Sequence, residues 1–144
     1  AVLHLHAADG VAVSAHKNGL LPLSQTAMLC LDHLSYHDFE GVALNLDERE
    51  RLVKDLGDKN LMLLRNHGTL SVGKDVGEAF TYMYFLMKGC EIQVRAMAQG
   101  ETYQPSAEAI ATTSDQSKSL GMASKLTWPA LLRKLERAGS DYAR

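Results

Sequence analysis

Cysteine is scarce in this chain: 2 Cys among 144 residues. Cys30 and Cys90 lie far apart in apolar segments, with no CxxC spacing. That excludes a disulfide framework or a Cys-based site and points to two buried free thiols in a reducing cytoplasm. Long apolar runs are also missing. No stretch reaches about 18 consecutive apolar residues, so no membrane span is expected. The first residues, Ala1-Val2-Leu3-His4-Leu5-His6, lack the basic region and apolar core of a signal peptide. Charge of one sign is missing too. Fifteen Lys+Arg against 17 Asp+Glu give a net charge of −2, which argues against a nucleic-acid partner. There is no internal repeat.

What is present suits one globular domain, with 46% hydrophobic and 22% charged residues. A chain of this length buries about two-thirds of its unfolded surface and needs no staple. It begins without Met and enters strand-like sequence at once, so we expect it to be the C-terminal part of a longer domain.

Val2 to His6 alternates like a strand. Residues 7–17 suit a short helix whose small side chains permit close packing, stopped at Gly19. Ser24 is placed to cap a second helix reaching Leu31. Leu34 to Glu40 is ambiguous, and Gly41 is expected to open an extended piece. Asp47 and Glu50 have capping-box spacing ahead of a helix with Leu52, Val53 and Leu56 on one face and Gly57 at its end. Leu61-Met62-Leu63-Leu64 suits a strand buried on both faces, and Thr69 to Val72 a shorter one. Between them Asn66-His67-Gly68 turns the chain, with Gly68 expected to take positive φ. The longest predicted helix runs from about Val76 to Gln99 behind Asp75 and Glu78. Phe80, Met83, Tyr84, Met87, Glu91, Val94, Met97 and Ala98 mark its expected core stripe. Residues 101–126 form a polar arm or weak helix. Residues 127–144 read as an amphipathic helix with Trp128, Leu131, Leu132 and Leu135 on one face and Pro129 in its first turn. The order of elements predicts an α/β fold with helices covering a sheet that is not purely parallel.

Six histidines are present: His4, His6, His16, His33, His37 and His67. In a strand His4 and His6 point to the same side and can converge on one metal ion. His67 sits in a tight turn at a strand end. Three imidazoles with an open fourth position are a donor set that catalytic zinc uses. Plain hydrogen-bonded histidines are the competing interpretation of any one of these residues. His33 and His37 are spaced i, i+4, but the sequence between them suits a helix end or strand, so a structural role is expected. His16 suits a cap at a helix C-terminus.

The histidine pattern resembles the class II aldolase/adducin superfamily. An HxH strand is followed, 61 residues after His6, by a third histidine in an Asn-His-Gly turn. The resemblance extends through Gly19-Leu20-Leu21-Pro22-Leu23-Ser24-Gln25, Tyr36-His37-Asp38-Phe39-Glu40-Gly41, Leu56-Gly57-Asp58-Lys59, Leu63-Leu64-Arg65-Asn66-His67-Gly68 and Val76-Gly77-Glu78-Ala79-Phe80 to Cys90-Glu91-Ile92-Gln93-Val94. It covers residues 2–98 and is closer to the adducin-like branch than to the sugar-phosphate aldolases.

The resemblance implies a three-layer α/β/α sandwich around a mixed, largely antiparallel sheet, here as a partial domain over residues 1–100. It implies Zn²⁺ or another divalent metal on His4, His6 and His67. It further implies an aldehyde-lyase of the aldolase type, acting on a small carbonyl or sugar-phosphate substrate through an enediolate. The alternatives are a non-catalytic adducin-like binding or assembly module and a truncated inactive relative. The family assembles into homo-oligomers, commonly tetramers. Its general acid/base and phosphate loops are expected upstream of residue 1. The carboxylates of this chain available as substitutes are Asp9, Asp38 and Glu40.

Overall fold

The apolar runs build one four-stranded sheet. The computed structural model describes residues 1–42 and 46–142. The strands are β1 (Val2–Leu5), β2 (Leu34–His37), β3 (Leu61–Leu64) and β4 (Gly68–Val72), in the order β1-β4-β3-β2. β1 pairs antiparallel with β4 and β4 antiparallel with β3, whereas β2 lies parallel to β3. The sheet is therefore mixed and largely antiparallel. All four residues of β3 are buried, which is why that run lacks alternation.

Helices cover both faces. One face carries Leu61, Leu63, Thr69 and Ser71. Against it pack α1 (Ala8–Ala15) and the long α4 (Val76–Met97), with α2 (Gln25–Met28) packed on α4. Ser71 Oγ donates to the Ala79 carbonyl of α4 at 2.9 Å. The small residues of α1 do permit close approach: a Cβ on Gly10 would lie 2.8 Å from Thr69 Cγ2. On the opposite face α3 (Glu48–Leu56) sets Leu52 and Leu56 around a hollow shared with Val2, Met62, Leu70 and Val72. These are the three layers expected. The core gathers Val13, Leu20, Ala27, Cys30, Leu61, Leu63, Leu86 and Cys90 on the α4 side.

Several local expectations change. α4 starts where predicted, with Asp75 Oδ1 accepting from Glu78 N at 2.8 Å, but its buried stripe differs. Met83 is buried as expected, but Ala79, Tyr82, Leu86, Cys90 and Gln93 face inward beside it, whereas Phe80, Tyr84 and Met97 are 36%, 50% and 40% exposed. Two stripes one residue apart both satisfy helical spacing. Packing on the sheet and on α2 selects the one that carries Ala79 and Cys90. Phe80 instead meets Trp128, with ring centroids 5.6 Å apart.

Asp47 does not form the expected capping box. Its backbone is already helical, at φ −68° and ψ −20°, and its side chain makes no capping hydrogen bond. An N-cap requires extended backbone there. Ser24 does cap α2 through Ala27 N, although that helix ends at Met28. Gly41 and Val42 bend instead of extending, and residues 43–45 of the expected extended piece lie outside the described residues.

The polar segment holds α5 (Ala107–Ser117), capped by Ser106, and a 3₁₀ turn whose Leu120 enters the core. That turn leads directly into α6 (Ser124–Arg137), so Pro129 falls inside the helix and not in its first turn. It has no N–H to give the Lys125 carbonyl. Among the described residues no helix is long and apolar enough to cross a membrane.

Candidate metal centre

The HxH spacing brings His4 and His6 together at the end of β1, and a tight turn adds His67. His4 stands opposite Leu70 on the α3 side of the sheet, and His6 follows two residues later, just past β1. His67 lies in the turn joining β3 to β4, where its N–H donates to the Leu64 carbonyl at 3.0 Å. The left-handed residue of this turn is Asn66, at φ 57°, not Gly68 as the sequence suggested. Asn tolerates that conformation better than most residues do. Gly68 serves a different need. A Cβ there would lie 2.5 Å from the Leu5 carbonyl, 3.1 Å from His6 Cδ2 and 3.4 Å from His4 Cε1. Its missing side chain is the space that the HxH strand occupies.

The three imidazoles converge through Nε2. His6 Nε2 lies 2.7 Å from His4 Nε2 and 2.9 Å from His67 Nε2. His4 Nδ1–H donates to the Thr69 carbonyl at 2.9 Å, which fixes its tautomer and leaves the Nε2 lone pair facing the other two rings. His4 and His6 are exposed and His67 is half-buried. Burial holds the His67 pKa below its ordinary value, the neighbouring His4 and His6 add to this, and Glu48 opposes it.

The donor set fits a divalent ion. One proton can bridge only two of these nitrogens, so the remaining lone pair is left facing its neighbours. A tetrahedral ion with bonds of about 2.0–2.1 Å sets its nitrogens about 3.3 Å apart, a few tenths of an ångström wider than the rings stand here.

The other histidines serve structure. His33 lies in a 3₁₀ turn and His37 in β2, so their i, i+4 spacing pairs nothing. His33 Nε2–H donates to the Ser117 carbonyl at 3.0 Å and His37 Nδ1–H to Asp55 at 2.7 Å. His16 ends α1, its carbonyl accepting from Arg65 Nη1 at 3.0 Å. Asp9, Asp38 and Glu40 are not brought to the three histidines. Among the described residues no hydrogen bond or ion pair joins them, and Glu40 is held by Arg51. The carboxylate whose field reaches His67 is Glu48, in the first turn of α3. Nothing in the sequence around Glu48 distinguishes it from a helix-starting acidic residue.

Comparison with known proteins shows the family of the chain. A family model described as Class II Aldolase and Adducin N-terminal domain matches residues 1–94. A Caulobacter vibrioides protein named "Putative aldolase class 2 protein" is 50% identical over 145 residues, covering 99% of this chain and 56% of that one. Alpha-adducin of Rattus norvegicus is 47% identical over 98 residues, covering 67% of this chain and 13% of the adducin. The crystal structure of an aldolase II superfamily protein from Pseudomonas syringae matches with a TM-score of 0.92 at 47% identity. It covers 98% of this chain and 58% of that one. The chain thus spans little more than half the length of these bacterial relatives. It belongs to the class II aldolase and adducin N-terminal domain family.

Proposed function

We propose that this chain carries the metal centre of an aldolase-type lyase, with His4, His6 and His67 binding one divalent ion, zinc first. The observation that carries the proposal is the convergence of the three Nε2 atoms, at 2.7 and 2.9 Å, with His4 oriented from behind by the Thr69 carbonyl. Three neutral imidazoles suit Zn²⁺, and Co²⁺, Mn²⁺ or Fe²⁺ fit the same donors. A divalent ion bound there supplies Lewis acidity toward the carbonyl and adjacent hydroxyl oxygens of a small substrate. The residues of the chain do the rest of the positioning. β1 and the Asn66 turn fix the rings, Gly68 lets them close, and the exposed sides of His4 and His6 leave room for a ligand.

The test is elemental analysis of protein purified without chelators or metal-affinity steps, followed by assay of aldol cleavage on small sugar phosphates. One ion per chain, lost in His67→Ala together with any cleavage, is the expected result. Absence of metal from the parent protein contradicts the proposal. The similarity to alpha-adducin motivates a second reading, a binding or assembly module without turnover. Metal-dependent cleavage that disappears in His67→Ala would rule that module out.

A further inference from the structure

The segments that carry the three histidines are tied together a second time, through Arg65. His6 lies two residues before α1, and Arg65 lies two residues before His67, in the turn between β3 and β4. The Arg65 side chain reaches the far end of α1. Its Nη1–H donates at 3.0 Å to the carbonyl of His16, the C-cap of that helix, which also accepts from Gly19 N at 2.8 Å. The last carbonyls of a helix have no partner within it and carry the negative end of its dipole. α1 has no basic residue in its own last turn. Arg65 brings the cation from another element.

The guanidinium is held from a second direction. Its Cζ stands 4.3 Å from the centre of the Tyr36 ring, an approach that favours a cation over the ring face. Tyr36 pairs in register with Leu63 in the sheet, and its hydroxyl accepts from Leu20 N at 3.2 Å. Gly19 leaves room for that hydroxyl, which an added Cβ would strike. The Arg65 backbone is fixed as well, its N–H donating to the His37 carbonyl at 2.8 Å. Among the described residues no ion pair engages Arg65. The helix it grips is seated on β4 through Gly10 and Thr69, and Thr69 is the residue whose carbonyl orients His4.

We propose that Arg65 is a positioning residue of the metal centre, bracing the His67 turn against α1 and so fixing His67 relative to His4 and His6. This role rests on the metal reading above. Donors held in place before the ion arrives lose less freedom on binding, so they bind more tightly. Arg65 works through the backbone of its own turn and through the end of α1; no contact with the ion or with a substrate is assigned to it.

The test measures Zn²⁺ dissociation constants by chelator competition and the electronic spectrum of the Co²⁺-loaded chain, neither of which depends on activity. The full chain is compared with Arg65→Met, Arg65→Lys and His67→Ala. Arg65→Met keeps the apolar stem and removes the fork. It is expected to weaken Zn²⁺ binding about tenfold, the lower end of what loss of a supporting group behind metal ligands costs, and to shift the Co²⁺ spectrum. Arg65→Lys can still donate to the His16 carbonyl but has no planar group to lay on Tyr36, so its affinity falls between the two. Urea unfolding of the metal-free chains runs beside these titrations, because a role confined to the fold lowers stability and leaves the affinity of folded protein unchanged. Arg65→Met binding Zn²⁺ within twofold of the parent, whatever its stability, while His67→Ala loses the ion, overturns the inference and spares the metal reading. If Arg65→Met does not fold, Arg65→Lys decides in its place: binding weaker than the parent's supports the brace, and parental binding overturns it. A parent chain that binds no ion overturns both proposals, and only that outcome removes the metal reading.

Discussion

At the scale of single residues, the turn before β4 sets the geometry of the centre. Asn66 is left-handed, so Asn66→Ala should cost about 1 kcal/mol in urea unfolding, with Asn66→Gly close to neutral. Gly68→Ala should cost about 1–3 kcal/mol, because the new methyl meets the Leu5 carbonyl at 2.5 Å and β1 must move. It should also weaken metal binding, since the strand it displaces carries both His4 and His6. His67 adds a pH dependence of defined sign. Its pKa is lowered in the folded state, so the unfolded chain binds more protons in the acid range. The stability of the metal-free chain is therefore full above about pH 6.5 and falls as pH drops through the lowered value. Thermal melts between pH 7 and 5 should show the midpoint falling, and a flat profile would contradict this. Burial pushes both thiols up to about 12, so Cys30 and Cys90 should resist alkylation in the native state and react on unfolding.

At the scale of elements, caps and breakers make separate predictions. Asp75 accepts from Glu78 N, and Glu78 in turn accepts from Lys74 N at 2.6 Å. Asp75→Ala should lower stability by about 1 kcal/mol, read from the shift in the denaturation midpoint. Pro129 interrupts α6 from inside, so Pro129→Ala should strengthen that helix and slow amide exchange along it. The elements also show what the sequence made legible. The continuous run of β3, the alternation of β1 and the capping pair of α4 depend on local chemistry, and each stands where it was expected. The core stripe of α4 depends on what packs against it. Large side chains at Phe80 and Tyr84 suggest burial, but the side of α4 that faces the core carries Ala79, which meets Ser71 of the sheet, and Cys90. The Asp47 box and the Pro129 helix start failed for a related reason. Each motif has the right residue types, but the preceding chain already sets Asp47 in helical backbone and starts α6 at Ser124, ahead of Pro129.

At the scale of the whole molecule, three histidines from two ends of the described sheet sequence form one cluster, and this much was readable from an HxH pair and an Asn-His-Gly turn. The contact between Glu48 and His37 was not readable, because only the docking of α3 onto the sheet brings the two together. The family resemblance also suggests self-association, and we propose a homo-oligomer; sedimentation showing only monomers would contradict that. The measurement that tests the central claim most directly is X-ray absorption at the zinc edge of the zinc-loaded chain. The account predicts three imidazole nitrogens at about 2.0–2.1 Å, falling to two in His67→Ala. Sulfur neighbours at about 2.3 Å, or an unchanged shell in His67→Ala, would contradict it.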